Sequence, residues 1–131
     1  MKKRKEFNEY DFMTLLCSKM VMRKINIFSV NRLEKKLFEF SIDKEYSAIF
    51  KNIAVNIETE KVNIMPIIEM LCTIGTLVPL NYPERIVIPF MREEAEKKIA
   101  DYSEENSKLM DNIVNGIYGK PEKKLVLKCC D

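Results

Sequence analysis

The chain has 131 residues, of which 47% are hydrophobic and 32% charged, an ordinary composition for a single well-cored globular domain. Lys and Arg number 22 against 20 Asp and Glu, so the net charge of +2 excludes a strong global field towards nucleic acid or an anionic membrane. No apolar run approaches the roughly 20 residues of a membrane-spanning helix. No apolar stretch follows the basic start MKKRKEFNEY, so a secretory signal is not expected either. These features indicate an intracellular, cytoplasmic protein.

The first predicted element is an amphipathic helix over residues 8–22. Apolar residues recur there every three or four positions between Phe12 and Val21, which is the pattern of a helix with one buried face. Cations gather at the end of this helix, where they suit the negative end of the helix dipole; they are Lys19, Arg23 and Lys24. The next segment, INIF, alternates between apolar and polar residues and predicts a short strand.

A second helix is predicted after Ser29, which offers an N-cap. Val30, Leu33, Leu37 and Phe40 repeat behind it at helical spacing, and the outer face carries Arg32, Lys35 and Lys36. A short helix is then expected over residues 43–50. Residues 51–61 have the weakest pattern in the interior of the chain and are expected to form a loop.

A third main helix is predicted over residues 63–74. Proline is tolerated only in the first turn of a helix, so the helix should begin close to Pro66. Gly75 is placed to end it in a left-handed conformation.

A small antiparallel ribbon should follow over residues 77–90, where LVPL and RIVIPF flank the turn NYPE. Pro79 and Pro89 lack an amide donor, so both should lie at free edges of the ribbon.

The helical period returns over residues 92–118, as one helix or as two if Ser103 caps a second one. Its apolar stripe is longer than the domain needs, so we expect its far end to mediate a homodimer or bind a partner protein. The interface candidates are Met110, Ile113, Val114, Ile117 and Tyr118. The alternative is a monomer in which this segment folds back over the first helix and hides the stripe.

The order helix, strand, helix, helix, strand, turn, strand over residues 8–91 resembles the winged-helix superfamily. In that arrangement INIF would supply a third strand to the ribbon. The expected fold is therefore mainly α with a small antiparallel β-ribbon: a winged-helix-like domain at 8–91, a helical extension at 92–118 and a tail at 119–131. The segment NRLEKKLFEF also resembles the LxKLLYF-like stretch of Panacea-type antitoxin domains, although the Gly-Pro-Val expected after it is missing.

These resemblances imply a small DNA-associated regulator or an antitoxin-like protein of mobile-element origin. The third main helix, NIMPIIEMLCTIG, contains no Lys or Arg, which favours a buried or partner-facing helix over one that reads a DNA groove. A protein-binding adaptor of the same fold is therefore the alternative, and a small enzyme is the third. If DNA is bound, the contacts should come from Lys19, Arg23, Lys24, Arg32, Lys35, Lys36 and Arg85; otherwise these cations form a solvated surface.

Catalytic and metal chemistry lack the usual residues. The chain has no His and only three Gly, which excludes a His-activated nucleophile and a glycine-rich phosphate loop. Its four Cys form no CxxC pair, so no zinc site is expected. Cys17 and Cys72 are expected in the core, and Cys129 and Cys130 unpaired in the tail; the alternative for this adjacent pair is a soft-metal ligand or a crosslink. We predict no catalytic residues, no metal and no cofactor.

Overall fold

The computed structural model describes residues 6–81 and 84–120. Helix α1 spans Glu9–Met22 and lies at the centre of the core, with nine of its residues buried. A capping box begins it: the Asn8 side chain accepts a hydrogen bond from the Asp11 amide at 2.8 Å, and the Asp11 carboxylate accepts one from the Asn8 amide at 3.0 Å. The predicted first helix is thus confirmed.

Strand β1 (Ile27–Ser29) leads directly into helix α2 (Val30–Ser41). The Ser29 hydroxyl accepts a hydrogen bond from the Arg32 amide at 3.2 Å, which confirms Ser29 as the N-cap. Phe28 is buried, whereas Ile27 is exposed on the other face of the strand. The sequence had placed this strand at INIF, two residues earlier.

The predicted helix over residues 43–50 is reduced to a single turn, α3, at Ser47–Phe50. Asp43 does not cap this turn. Its carboxylate accepts a hydrogen bond from the Glu45 amide at 2.9 Å, which holds a local turn ahead of the helix.

The prediction of a loop over residues 51–61 was wrong from Val55 onward, where the chain forms a two-stranded antiparallel hairpin. Strands β2 (Val55–Asn56) and β3 (Lys61–Val62) pair with Val55 opposite Val62. Val62 is fully buried and β3 packs against α2, and this burial stabilises the hairpin. Its strands are too short to show a clear alternation of apolar and polar residues in the sequence.

Helix α4 spans Met65–Thr73, with Pro66 in its first turn as predicted. Gly75 follows with φ +86° and its amide bonds to the Cys72 carbonyl at 3.2 Å, so the predicted left-handed ending is confirmed. This reversal sends the chain straight into the ribbon.

Strands β4 (Val78–Asn81) and β5 (Arg85–Val87) join β1 in a three-stranded antiparallel sheet of order β1–β5–β4. Ile27 and Val78 both lie opposite Val87, and the register shifts between Pro79 and Asn81. The fold class predicted from the sequence, mainly α with a small antiparallel ribbon, is confirmed. Pro79 lies on the edge strand β4, as expected.

The C-terminal segment forms two helices, α5 (Arg92–Ala100) and α6 (Glu104–Tyr118), which settles the alternative left open by the sequence. The Ser103 hydroxyl caps α6 by accepting a hydrogen bond from the Asn106 amide at 3.1 Å. Both helices pack against α1. No helix in the described part of the chain has the length and apolar character needed to cross a membrane.

Three of the five predicted interface residues lie in the core of the single chain. Met110 and Ile113 are 0% exposed and Val114 is 2% exposed. The expectation that they form an outward seam is therefore corrected: α6 folds back over α1 and hides the stripe, which was the alternative interpretation. Ile117 is half-buried, and Tyr118 is exposed at the end of the helix.

Candidate interaction surfaces

The outer face of α4 carries no cation and exposes an apolar side chain, Met70, beside Glu69 and Thr73. Ile67, Ile68 and Leu71 face the core, whereas Met70 is 46% exposed, and Ile74, directly after the helix, is 64% exposed. The helix sequence MPIIEMLCT contains no Lys or Arg and one carboxylate, Glu69. This helix immediately precedes the ribbon of β4 and β5.

One row of side chains on the solvent-facing side of the three-stranded sheet is also apolar. Ile27 and Val78 flank Val87 on the two neighbouring strands, opposite the face on which Phe28 and Ile86 are buried. Ile27 and Val78 are each close to half exposed. Cross-strand neighbours lie about 5 Å apart, so these side chains form a continuous apolar row.

Two of the seven cations predicted to contact DNA have partners within the chain. Lys19, whose side chain is 11% exposed, lies 3.0 Å from the Asp111 carboxylate. Arg23 donates a hydrogen bond to the Asn115 side chain at 2.8 Å and a second one to the Gly119 carbonyl. These cations tie the end of α1 to α6, so their evident role is structural.

The other predicted cations are exposed, and the structure brings some of them together. Arg32, Lys35 and Lys36 project from α2, and Arg85 lies opposite Ser29, the N-cap of that helix. Lys24 follows the end of α1 and has φ 64°. None of these five cations forms an ion pair with a carboxylate within residues 6–81 and 84–120.

A groove of about 290 Å³ lies between β1, α2 and the end of α6, and we call it the β1–α6 groove. Ile27, Ile117 and Tyr118 contribute apolar surface, and Arg32 and Lys36 contribute charge. Burial raises the pKa of the Tyr118 hydroxyl to about 12, although Arg32 acts in the opposite direction, so Tyr118 is a neutral phenol near pH 7. The groove thus unites two predicted interface residues with two predicted DNA contacts.

Two buried carboxylates were not singled out from the sequence. Glu34 accepts a hydrogen bond from the Ile64 amide at 3.1 Å, and Asp11 accepts one from the Tyr102 hydroxyl at 3.1 Å. Burial and the nearby Asp11 raise the pKa of Tyr102, so this hydroxyl remains a donor. Both contacts join parts of the chain that are distant in sequence, and no local pattern reveals them.

The cysteines divide between core and boundary. Cys17 is 1% exposed, as predicted, but Cys72 is only partly buried. Burial raises the pKa of the Cys17 thiol to about 12, which makes it unreactive. Cys129 and Cys130 lie outside the described residues. Within the described residues, no group of three or more His, Cys, Asp or Glu side chains is placed to hold a metal ion.

Comparison with known proteins gave no match to a family model, to a curated protein or to a solved structure.

Proposed function

We propose that this protein is a non-enzymatic adaptor of the winged-helix type that binds a partner protein through the exposed faces of α4 and the sheet. The observation that carries the proposal is the outer face of α4, which presents Met70 and Ile74 and no cation. A helix that enters a DNA groove needs donors for base edges and phosphates. Apolar side chains at this position are suited instead to a protein surface.

The exposed apolar side chains of α4 and the sheet also favour protein binding on energetic grounds. Burial of apolar surface contributes about 25 cal/mol per Å², and a few well-buried anchors carry most of the binding energy of a protein interface. Met70, Ile74, Val78 and Leu80 are all 44% exposed or more, so each has surface left to bury. The antitoxin-like role implied by NRLEKKLFEF would be one form of such protein binding.

Site-specific photo-crosslinking in the source cells tests the proposal. A photoreactive amino acid replaces Met70 in one variant and Ile42 in the control, since Ile42 is 61% exposed but lies at the end of α2. We expect one discrete protein adduct from position 70 and none from position 42. Adducts of equal yield from both positions, or none from position 70, would contradict the proposal.

A DNA-associated regulator is the second candidate, and a specific observation favours it. Arg32, Lys35, Lys36 and Arg85 are exposed cations without described ion-pair partners, and such cations can bind phosphates without reading sequence.

Electrophoretic retardation of random-sequence DNA at low and moderate salt tests this candidate. Salt-sensitive retardation that disappears when Arg32, Lys35 and Lys36 are changed to Glu would support it. The matched control changes three exposed lysines elsewhere, Lys44, Lys97 and Lys108, to Glu. No retardation of the wild type, or equal loss in both triple variants, would reject specific use of this face.

A further inference from the structure

We infer that the β1–α6 groove binds an extended segment of a partner protein in which an apolar side chain is flanked by carboxylates. This surface shares Ile27 with the exposed face of the sheet but shares no residue with α4, so the inference goes beyond the proposed function and is tested apart from it. Three features carry it: the apolar lining of the groove, the cations at its rim, and the free edge of β1.

The apolar lining of the groove suits an apolar side chain of modest size from the partner. Ile27 is 47% exposed and Tyr118 is 37% exposed, and both line the groove together with the half-buried Ile117. A volume of about 290 Å³ falls at the lower end of the range for ligand sites. The groove therefore suits one or two side chains of a peptide better than a larger ligand.

The cations at the rim of the groove favour a segment that also carries negative charge. Arg32 and Lys36 are four residues apart on α2, so they lie on one face of the helix, and both line the groove. The lining contains no carboxylate, and neither cation forms an ion pair within the described residues. Charge complementarity thus favours carboxylates beside the apolar anchor. A nucleic-acid backbone would satisfy the two cations but leave the apolar lining without a partner, which is why a protein segment fits better.

The edge of β1 can pair with a partner segment whose backbone is extended. The Ile88 amide donates to the Asn26 carbonyl at 2.7 Å, and the Val30 amide donates to the Glu84 carbonyl at 3.0 Å. Because hydrogen-bonded and non-hydrogen-bonded pairs alternate in an antiparallel ladder, the amide and carbonyl of Ile27 point away from β5. Within residues 6–81 and 84–120, β1 is an edge strand of its sheet, so these two groups are available to an added strand.

Selection of displayed random linear peptides on the immobilised full chain provides the probe. We expect the enriched peptides to combine Asp or Glu with Leu, Ile or Phe in adjacent positions. A synthetic copy of the most enriched peptide should bind the wild type. Its affinity for the Lys36→Glu variant should be about tenfold lower or more, because a charge-assisted hydrogen bond is lost.

Lys35→Glu is the matched control, because Lys35 is exposed on the same helix but does not line the groove. It makes the same charge change outside the lining of the groove, where it does not contact the bound peptide, and should leave the affinity within about twofold. Met70→Glu should also leave it unchanged, which separates this inference from the proposed function. Circular dichroism confirms that each variant is folded.

Four results would overturn the inference: no enriched peptide, enrichment without acidic residues, equal loss of affinity with Lys35→Glu and Lys36→Glu, or an enriched peptide displaced by random-sequence duplex DNA. The last two results would identify the surface as a general phosphate contact.

Discussion

Glu34 is an ionisable residue in a buried position, and it links α2 to the start of α4. It is 8% exposed, and its carboxylate accepts the amide hydrogen of Ile64, the residue that precedes the first turn of α4. The first-turn amides of a helix need acceptors outside the helix, and here a side chain from a distant helix supplies one. Leu33 and Leu37 were predicted as core from their spacing, but a partner 30 residues away leaves no signal in that spacing.

Glu34→Ala should lower the free energy of unfolding by about 1–3 kcal/mol, because the Ile64 amide would be left buried without an acceptor. Glu34→Gln keeps an acceptor oxygen and should cost less. Glu39→Ala is the control, since Glu39 is exposed on the same helix and should change stability by about 0.5 kcal/mol or less. Urea denaturation measures all three variants. Equal effects of Glu34→Ala and Glu39→Ala would contradict the role given to Glu34.

Tyr118 gives the stability of the fold a dependence on alkaline pH. Its pKa is raised from 10.0 to about 12, chiefly by burial. The unfolded chain therefore loses this proton at lower pH than the folded chain, so the contribution is fully present below pH 10 and is lost between pH 10 and 12. Tyr118→Phe should reduce the loss of stability over this window, as measured by denaturation at successive pH values. An unchanged pH profile in that variant would show that Tyr118 titrates normally.

At the scale of elements, the strength of the local pattern decided what the sequence could predict. α1, α2 and α4 follow clear helical periods, Ser29 marks the start of α2 and Gly75 the end of α4, and the structure has all three helices. The hairpin of β2 and β3 has only two residues in each strand, and it depends on packing of Val62 against α2 rather than on its own pattern. Tertiary packing of this kind cannot be read from a window of neighbouring residues.

Gly116 leaves room on α6 for the ring of Phe40 from α2. A Cβ atom at this position would lie 2.5 Å from Cζ of Phe40, so a larger residue would force the ring to move. Gly116→Val should destabilise the protein by about 1–3 kcal/mol through overpacking. The cost should shrink when the same change is made in a Phe40→Leu background, because the blocking ring is then absent.

A double-mutant cycle based on thermal or chemical denaturation measures this coupling between positions 116 and 40. The control is Ser107→Val, which places the same branched side chain on α6 at a partly buried position. Additive effects of the changes at 116 and 40 would show that the contact does not control the packing.

At the scale of the whole molecule, the apolar stripe of residues 92–118 completes the core of a single chain. The sequence predicted the stripe correctly but could not show which surface covers it, because helical periodicity defines a face and not its partner. The stripe is covered by α1, against which α5 and α6 pack. The Lys19 ion pair and the Arg23 hydrogen bond to α6 reinforce this packing. Self-association is therefore not needed to bury Met110, Ile113 and Val114.

Ile113→Glu should destabilise the monomer itself by several kcal/mol, because a carboxylate would be buried without a partner. The midpoint of unfolding should not depend on protein concentration, in the wild type or in the variant, whereas a dimer seam would make it concentration-dependent. Lys108→Glu, at an exposed position of α6, is the control. Sedimentation of a wild-type dimer that Ile113→Glu converts into a folded monomer would contradict this account.

We propose that α4, the helix that precedes the ribbon, binds a partner protein and is unsuited to reading DNA. The most direct measurement is the amide NMR spectrum of the isotope-labelled protein, recorded at low salt with and without random-sequence duplex DNA. It reports separately on α4, α2 and the sheet. We predict that the amide signals of Met65–Thr73 do not shift, and that any shifts lie on α2 and disappear at moderate salt. Shifts centred on α4 that persist at moderate salt would contradict the claim.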